Sequence, residues 1–232
     1  MGSGIAQVCA QAGYYVSLMD LDSRATDKAL RTIASSVERL GQKDVVKEPP
    51  QKVIDRIAPV SDFSSAADAY WVIECVLEKE ELKKELFSEL ERHVPPETTL
   101  ATNTSSVPIS RIAESLRHPE RLLGLHFFGP VPFMRLVEVV KGKETSDEVF
   151  ERGVAFVSSL GKTPVRVRKD VPGFVMNRIF CAAFREALNL VARGVAVPDE
   201  VDEGMRLGYG WTVGPFEIAD NAGLDTVLLI AE

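Results

Sequence analysis

The sequence has no long hydrophobic run and no excess of basic residues. None of its apolar stretches reaches the roughly 18 to 20 residues that a membrane-spanning helix requires. Its 34 acidic residues outnumber its 27 lysines and arginines, which gives a formal net charge of -7. Binding to nucleic acid needs a basic face, and this composition does not suggest one. We therefore expect neither a membrane nor a nucleic acid as a partner.

Cysteine is also scarce. Cys9, Cys75 and Cys181 lie far apart among apolar neighbours, and the sequence contains neither a Cys-x-x-Cys pair nor a metal-ligand cluster. Free cysteine usually behaves as a small hydrophobic residue, so buried reduced thiols are the simplest interpretation. Reduced thiols and the lack of a signal peptide in this chain indicate a cytoplasmic protein, and we expect no metal site.

Strands and helices alternate in the first two thirds of the sequence. The runs typical of strands are "YYVSLMD", "YWVIECVL", "TTLATN", "LLGLHFF", "RLVEVV" and "TPVRVR". Their alternation with amphipathic segments predicts an α/β domain over residues 1–169, with a mostly parallel, doubly wound sheet of the Rossmann type. The opening "MGSGIAQVCAQAG" predicts a helix that starts half-way through a glycine turn. We therefore expect the first strand of the sheet to be missing.

After "KDVPGF" the strand signal ends. The segment "VMNRIFCAAFREALNLVARG" predicts one long helix, and shorter helical segments follow it. These patterns predict a smaller all-α domain over residues 170–232. The final "DTVLLIAE" has an apolar helical face that nothing later in the chain could cover, so we expect a partner chain or further residues to bury it.

Two polar residues interrupt apolar strands, which makes them candidates for chemistry. His126 lies within "LLGLHFF" and Glu138 within "LVEVV", and a short loop containing glycine and proline joins the two runs. A carboxylate bound to one imidazole nitrogen fixes the tautomer and makes the other nitrogen a better base. The alternative is a histidine that is simply satisfied within the core.

Other candidates lie where predicted strands end or helices begin. Asn103 and Ser105 belong to "NTSS", which follows a strand, the place where open α/β sheets bind ligands. Asp20 ends the "YYVSLMD" strand, and Asn177 opens the long helix. The alternatives are a helix cap at Ser105 or Ser106 and a helix-terminal acid at Asp20.

The order and spacing of "NTSS", "LHFFGPVPFMRLVEVV", "DVPGFVMNR" and "GPFEIADNAGLDTV" resemble the 3-hydroxyacyl-CoA dehydrogenase family, especially its 3-hydroxybutyryl-CoA type. The resemblance covers essentially the whole chain. It implies NAD-dependent oxidation of (S)-3-hydroxyacyl-CoA to 3-oxoacyl-CoA, with short acyl chains, in fatty-acid metabolism (β-oxidation). It also implies an acyl-CoA substrate and a homodimer formed through the C-terminal helices.

The same resemblance implies roles for single residues. His126 becomes the general base, Glu138 its orienting partner, and Ser105 and Asn177 contacts of the reacting oxygen or its surroundings. The positions implied for NAD binding are Gly2, Asp20, Glu78, Lys83, Asn103 and Ser105. Ser36 and Lys43 match contacts of coenzyme A, although both could equally be solvated residues of a charged helix.

The sequence departs from the family pattern in three places. The opening strand and the first two glycines of the GxGxxG turn are absent, Gly129 stands where many members have asparagine, and the chain stops before the family's last helices. We therefore interpret the chain as truncated at both ends and expect weak or absent NAD binding. The alternatives are a dehydrogenase of a free hydroxy acid, such as a sugar acid, and an inactive binding or assembly protein.

Overall fold

The computed structural model describes residues 1–43, 48–223 and 227–228, which form two compact units, Met1–Asp170 and Val171–Glu232. The predicted domain boundary lies one residue earlier than this division. Asp170 belongs to the first unit because its carboxylate accepts hydrogen bonds from the backbone N–H and the hydroxyl of Ser110, at 2.7 and 3.1 Å.

The first unit alternates helices and strands, as predicted. In chain order its elements are α1 (Gly2–Gln11), β1 (Val16–Met19), α2 (Ser23–Gln42), α3 (Pro50–Ile54), β2 (Ile57–Val60), β3 (Trp71–Glu74), α4 (Glu80–Leu90), β4 (Thr99–Thr102), α5 (Ile109–Ala113), β5 (Leu122–Phe127), β6 (Leu136–Val140), α6 (Asp147–Ser159) and β7 (Thr163–Val167). Short 3-10 turns precede β3 and β5, at Phe63–Ala66 and Pro119–Arg121.

Within the described residues the strands form two sheets rather than one. Five strands pair in the order β3-β4-β5-β6-β7, all parallel except β5 with β6, and β1 pairs in parallel with β2. The predicted mostly parallel α/β architecture is confirmed. The two sheets share one covering helix, because Ile5 and Val8 of α1 pack in the core of the larger sheet while Ala6 and Ala10 pack with residues of β1.

The core of the larger sheet comes from its interior strands β4, β5 and β6. Every residue of β4 and β5 is buried, as expected for strands that are covered on both faces. Helix α6 lies so close to this sheet that a Cβ atom added at Gly153 would overlap the side chain of Leu123. The close approach fixes the strand that carries His126.

The second unit contains only helices among its described residues, which confirms the all-α prediction: α7 (Met176–Ala192), α8 (Pro198–Tyr209) and α9 (Pro215–Ala222). The buried Asp202 of α8 accepts the N–H groups of Phe216 and Glu217 at 2.8 and 2.9 Å, and so caps the start of α9. Most of "DTVLLIAE" lies outside the described residues. No helix in the described part of the chain is long and apolar enough to cross a membrane.

Candidate active site

Three strand ends meet at one edge of the five-stranded sheet. Glu74 ends β3, Asn103 follows β4, and Phe127 ends β5. The Asn103 N–H donates to the carbonyl oxygen of Glu74, and its side-chain oxygen accepts the N–H of Phe127, each at 2.9 Å. Asn103, a predicted cofactor residue, therefore holds the three strand ends together. Ligands of open α/β sheets bind at this edge.

His126 and Glu138 contact each other within the core, as the interrupted strands predict. They are directly opposite in the antiparallel pairing of β5 with β6, and the His126 Nδ1 atom lies 2.7 Å from Glu138 Oε2. The two residues are only 5% and 0% exposed. Because the carboxylate accepts from Nδ1, the other ring nitrogen, Nε2, is left as the basic atom. The Phe128 ring packs at 4.6 Å from the imidazole.

Ser105 extends this pair toward the strand edge. Its hydroxyl oxygen lies 3.2 Å from His126 Nε2, so the hydroxyl donates when Nδ1 carries the ring proton. The alternative that Ser105 or Ser106 caps the next helix is wrong, because α5 begins only at Ile109, after Pro108. The result is a continuous line of hydrogen bonds, Glu138 to His126 to Ser105.

Glu78 accepts hydrogen bonds from the loop of residues 104–106, called the serine loop below. Its Oε1 atom accepts the N–H groups of Ser105 and Ser106 at 2.7 and 2.8 Å and the Thr104 hydroxyl at 2.5 Å. Burial opposes ionisation of this carboxyl, but the Thr104 hydroxyl, the Lys83 ammonium and the two N–H groups outweigh it and lower the pKa of Glu78 to about 2. Glu78 is therefore an anion that fixes the loop.

Lys83, for which the family resemblance implies a cofactor contact, is buried in an ion pair at this strand edge. It is 1% exposed, and its ammonium lies 2.7 and 2.9 Å from the Glu74 carboxylate oxygens and 3.2 Å from Glu78 Oε2. The sequence prediction missed Glu74 and Thr104, although a glutamate within the apolar "WVIEC" strand was a visible signal of the same kind as Glu138.

Two features of the first unit suit the binding of a dinucleotide. Gly2 begins α1, and no side chain caps this N-terminus. A Cβ at Gly2 would lie 3.5 Å from the Cβ of Cys75, immediately after β3, so the helix starts at the strand edge. Asp20 is exposed just after β1, and Asp22, not Asp20, caps α2. An uncapped helix start suits a pyrophosphate, and an exposed acid at a strand end suits a ribose hydroxyl.

The remaining predicted residues belong to other segments of the chain. Ser36 is half-buried in α2, and Lys43 is exposed directly after it. Asn177 is the second residue of α7 in the second unit, and it is half-buried. Gly129 is exposed after Phe128. Cys9 is buried, whereas Cys75 and Cys181 are half-buried as whole residues, and burial raises the pKa of the Cys9 and Cys75 thiols to about 12.

Known proteins resemble the chain along its full length. The family model described as the NAD-binding domain of 3-hydroxyacyl-CoA dehydrogenase matches residues 1–171, and the C-terminal domain model matches residues 173–232. A probable 3-hydroxybutyryl-CoA dehydrogenase of Bacillus subtilis is 43% identical over all of this chain and 81% of its own. One from Deinococcus radiodurans is 41% identical, over all of this chain and 83% of its own.

A solved structure agrees with these sequence matches. The crystal structure of (S)-3-hydroxybutyryl-CoA dehydrogenase PaaH1 from Ralstonia eutropha superimposes with a TM-score of 0.94 and 38% identity, covering 99% of this chain and 81% of that one. With both domain models matched in order and relatives aligned over the full sequence, the chain belongs to the 3-hydroxyacyl-CoA dehydrogenase family.

Proposed function

We propose that this protein oxidises short-chain (S)-3-hydroxyacyl-CoA to 3-oxoacyl-CoA in fatty-acid metabolism, with His126 as the general base. Its family makes it an NAD-dependent oxidoreductase of the 3-hydroxyacyl-CoA dehydrogenase type. The observation that carries the residue assignment is the buried line of hydrogen bonds from Glu138 through His126 to Ser105. The names of the relatives that act on 3-hydroxybutyryl-CoA support a short acyl chain.

The proposed proton transfer follows from the arrangement of the three side chains. His126 Nε2 takes the proton from the substrate 3-hydroxyl, and in the reverse direction the imidazolium returns it to the 3-oxo group. Glu138 stabilises the imidazolium through Nδ1, at 2.7 Å. The Ser105 hydroxyl, already at 3.2 Å from Nε2, is placed to hydrogen-bond the reacting oxygen.

The N-terminus of α1 at Gly2 and the carboxylate of Asp20 would hold the dinucleotide, and Asn103 lies at the same strand edge. Bound NAD supplies the hydride acceptor for C3 of the substrate. Negative charge at Asp20 would repel a 2'-phosphate, which favours NAD over NADP. How strongly this chain binds NAD stays a prediction.

We assign coenzyme A contacts to Ser36 and Lys43. Both belong to the α2 region, which also carries the exposed cations Lys28, Arg31 and Arg39, a face that suits phosphate groups. Asn177 is proposed to contact the substrate near its reacting oxygen. We further propose a cytoplasmic homodimer through the C-terminal helices, which present exposed apolar side chains such as Ile179, Leu188 and Leu207.

The test is reduction of acetoacetyl-CoA by NADH, followed by loss of NADH absorbance, with free acetoacetate as the matched substrate. The proposal predicts turnover of the CoA thioester and little or none of the free acid. Preference for free hydroxy or oxo acids would favour the sugar-acid alternative. Calorimetric titration with NADH adds a second measurement: binding of NADH, even if weak, would exclude an inactive assembly protein without a cofactor site.

A further inference from the structure

The β5–β6 loop, residues 128–135, joins the two strands that carry His126 and Glu138. Its first residue, Phe128, packs its ring against the imidazole of His126, with ring centres 4.6 Å apart. Because the catalytic pair lies on the strands at either end of this loop, a displaced loop would disturb the surroundings of the imidazole. The contacts that fix the loop therefore bear on the proton transfer.

The middle of the β5–β6 loop is a tight turn at residues 130–134. The Pro130 carbonyl oxygen accepts the N–H groups of Phe133 and Met134 at 3.0 and 3.1 Å. Val131 is buried in the core of the larger sheet, and a Cβ atom added at Gly4 of α1 would lie only 2.9 Å from the Val131 Cβ. Apolar packing thus holds the Val131 side chain, but the buried carbonyl oxygens of the turn need hydrogen-bond donors.

Lys162, directly before β7, supplies these donors. Its side chain is buried, and the ammonium donates to the carbonyl oxygens of Val131 and Met134, each at 2.7 Å. The N–H of the next residue, Thr163, donates to the Arg135 carbonyl oxygen at 2.7 Å. Two consecutive residues therefore bind the β5–β6 loop at three of its carbonyl oxygens.

An ammonium is a costly donor in this place. Burial lowers the pKa of Lys162, because loss of water disfavours the charged form. In return, an ammonium has three N–H groups and makes stronger hydrogen bonds than a neutral donor. One lysine can thus fix two carbonyl oxygens of a turn relative to each other, and so fix the shape of the turn.

We propose that Lys162 is a positioning residue for the proton transfer at His126: it fixes the turn of the β5–β6 loop and thereby holds the Phe128 ring against the imidazole. For the reaction itself the inference rests on the proposed function. The ammonium hydrogen bonds and the ring contact can be tested without turnover.

Three variants test the proposal. Lys162→Met removes the donors and keeps an unbranched side chain, and Lys162→Arg keeps a charged donor. The control is Thr145→Val. Thr145 is buried and follows β6, whereas the β5–β6 loop precedes it, and its hydroxyl donates to the Leu122 carbonyl at 2.5 Å and accepts the Gly142 N–H at 2.9 Å. The control thus removes buried backbone contacts of a different loop of the same sheet.

The first readout is nuclear magnetic resonance. The Lys162 ammonium should exchange its protons at least tenfold more slowly than an exposed lysine such as Lys28, because it is buried and hydrogen-bonded. The ring signals of His126, one of only three histidines, should shift in Lys162→Met in the same direction as in Phe128→Leu, since both changes take the aromatic ring away from the imidazole. They should stay unchanged in Thr145→Val.

The second readout is steady-state reduction of acetoacetyl-CoA by NADH, with equal folding checked by circular dichroism. Lys162→Met should lower kcat by about tenfold, because a small misplacement around a catalytic group is costly, and Lys162→Arg should restore most of the rate. Thr145→Val should keep the wild-type kcat. If Lys162 acts through Phe128, the double variant Lys162→Met, Phe128→Leu should be no slower than the slower single variant.

Several results would overturn the inference. One is exchange of the Lys162 ammonium as fast as that of Lys28 in the wild type, which decides the matter even if the variants fail to fold. Others are an unchanged His126 signal in folded Lys162→Met, equal losses of kcat in Lys162→Met and Thr145→Val, and losses that multiply in the double variant. Absence of turnover in the wild type would count against the proposed function alone and would leave the resonance test in force.

Discussion

The two sheets of the first unit differ in how firmly they hold their polar side chains. In the five-stranded sheet every residue of β4 and β5 is buried, and the sheet edge carries Glu74 and His126 in contact with fixed partners. The two-stranded sheet is mostly half-buried or exposed, and Asp20 follows its first strand in solvent. Proton transfer needs a fixed geometry, whereas binding a ribose needs only an accessible acceptor.

Among the partners of the imidazole, the largest expected effect comes from Glu138. Glu138→Gln should lower the rate of acetoacetyl-CoA reduction by roughly 10²-fold, because the neutral amide no longer stabilises the imidazolium or fixes its tautomer. Steady-state rates measure the loss. Glu144→Gln, at an exposed position shortly after the same strand, is the control and should keep the wild-type rate. Equal rates for the two variants would remove Glu138 from the mechanism.

Matched leucine truncations compare the two sheets directly. Leu123→Ala in fully buried β5 should lower the free energy of unfolding by about 2 to 5 kcal/mol. Leu18→Ala in half-buried β1 should lower it by about 1 kcal/mol, because the Leu18 side chain buries less apolar surface when the protein folds. Urea titration of both variants gives the comparison. Similar losses would show that the two-stranded sheet is as well packed as the other.

Acid titration tests the anion that holds the serine loop. Folding lowers the pKa of Glu78 from 4.5 to about 2, through the Thr104, Lys83, Ser105 and Ser106 contacts that outweigh burial. A depressed pKa contributes stability above the unfolded-state value and loses it as the pH falls from about 4.5 toward 2. The stability gap between wild type and Glu78→Gln should therefore shrink by about 2 kcal/mol over this range, after discounting for partial exposure.

Denaturant titrations at a series of pH values measure this gap. Glu97→Gln, at an exposed position before β4, serves as the control. A gap between wild type and Glu78→Gln that stays constant down to about pH 2 would mean that Glu78 is not held as an anion by the loop.

The smallest effect is expected in the exposed sheet. Asp20→Ala should raise the KM for NADH about tenfold, because the cofactor loses a hydrogen bond to a charged acceptor. The kcat should stay nearly unchanged. It should also narrow the preference for NADH over NADPH. Asp27→Ala, an exposed aspartate on α2, is the matched control. A fall in kcat with unchanged KM would place Asp20 in the chemistry rather than in binding.

Local patterns predicted the parts of the molecule that depend on single strands and helices. His126 and Glu138 stood out because each interrupts an apolar run, and the short loop between the runs implied their contact. Strand β2 was missed because Pro59 lies within it, although a parallel strand at a sheet edge tolerates proline. None of the six runs that the sequence analysis gives as typical of strands therefore includes "IAPV".

The contacts of Glu78 with Lys83 and Thr104 could not be predicted in the same way. Glu78, Lys83 and Thr104 each look like ordinary residues of a loop, a charged helix and a strand end, and only the tertiary fold brings them together. Their contacts span up to 28 positions of sequence, as from Glu78 to Ser106. The residue roles implied by the family resemblance did not include Glu74.

The most direct test of the central claim is the rate of acetoacetyl-CoA reduction by NADH in wild type and in His126→Gln, with equal folding checked by circular dichroism. Loss of the general acid and base predicts a rate lower by roughly 10² to 10⁴-fold. A His126→Gln variant that keeps the wild-type rate would contradict the assignment of the Glu138, His126 and Ser105 line as the catalytic centre.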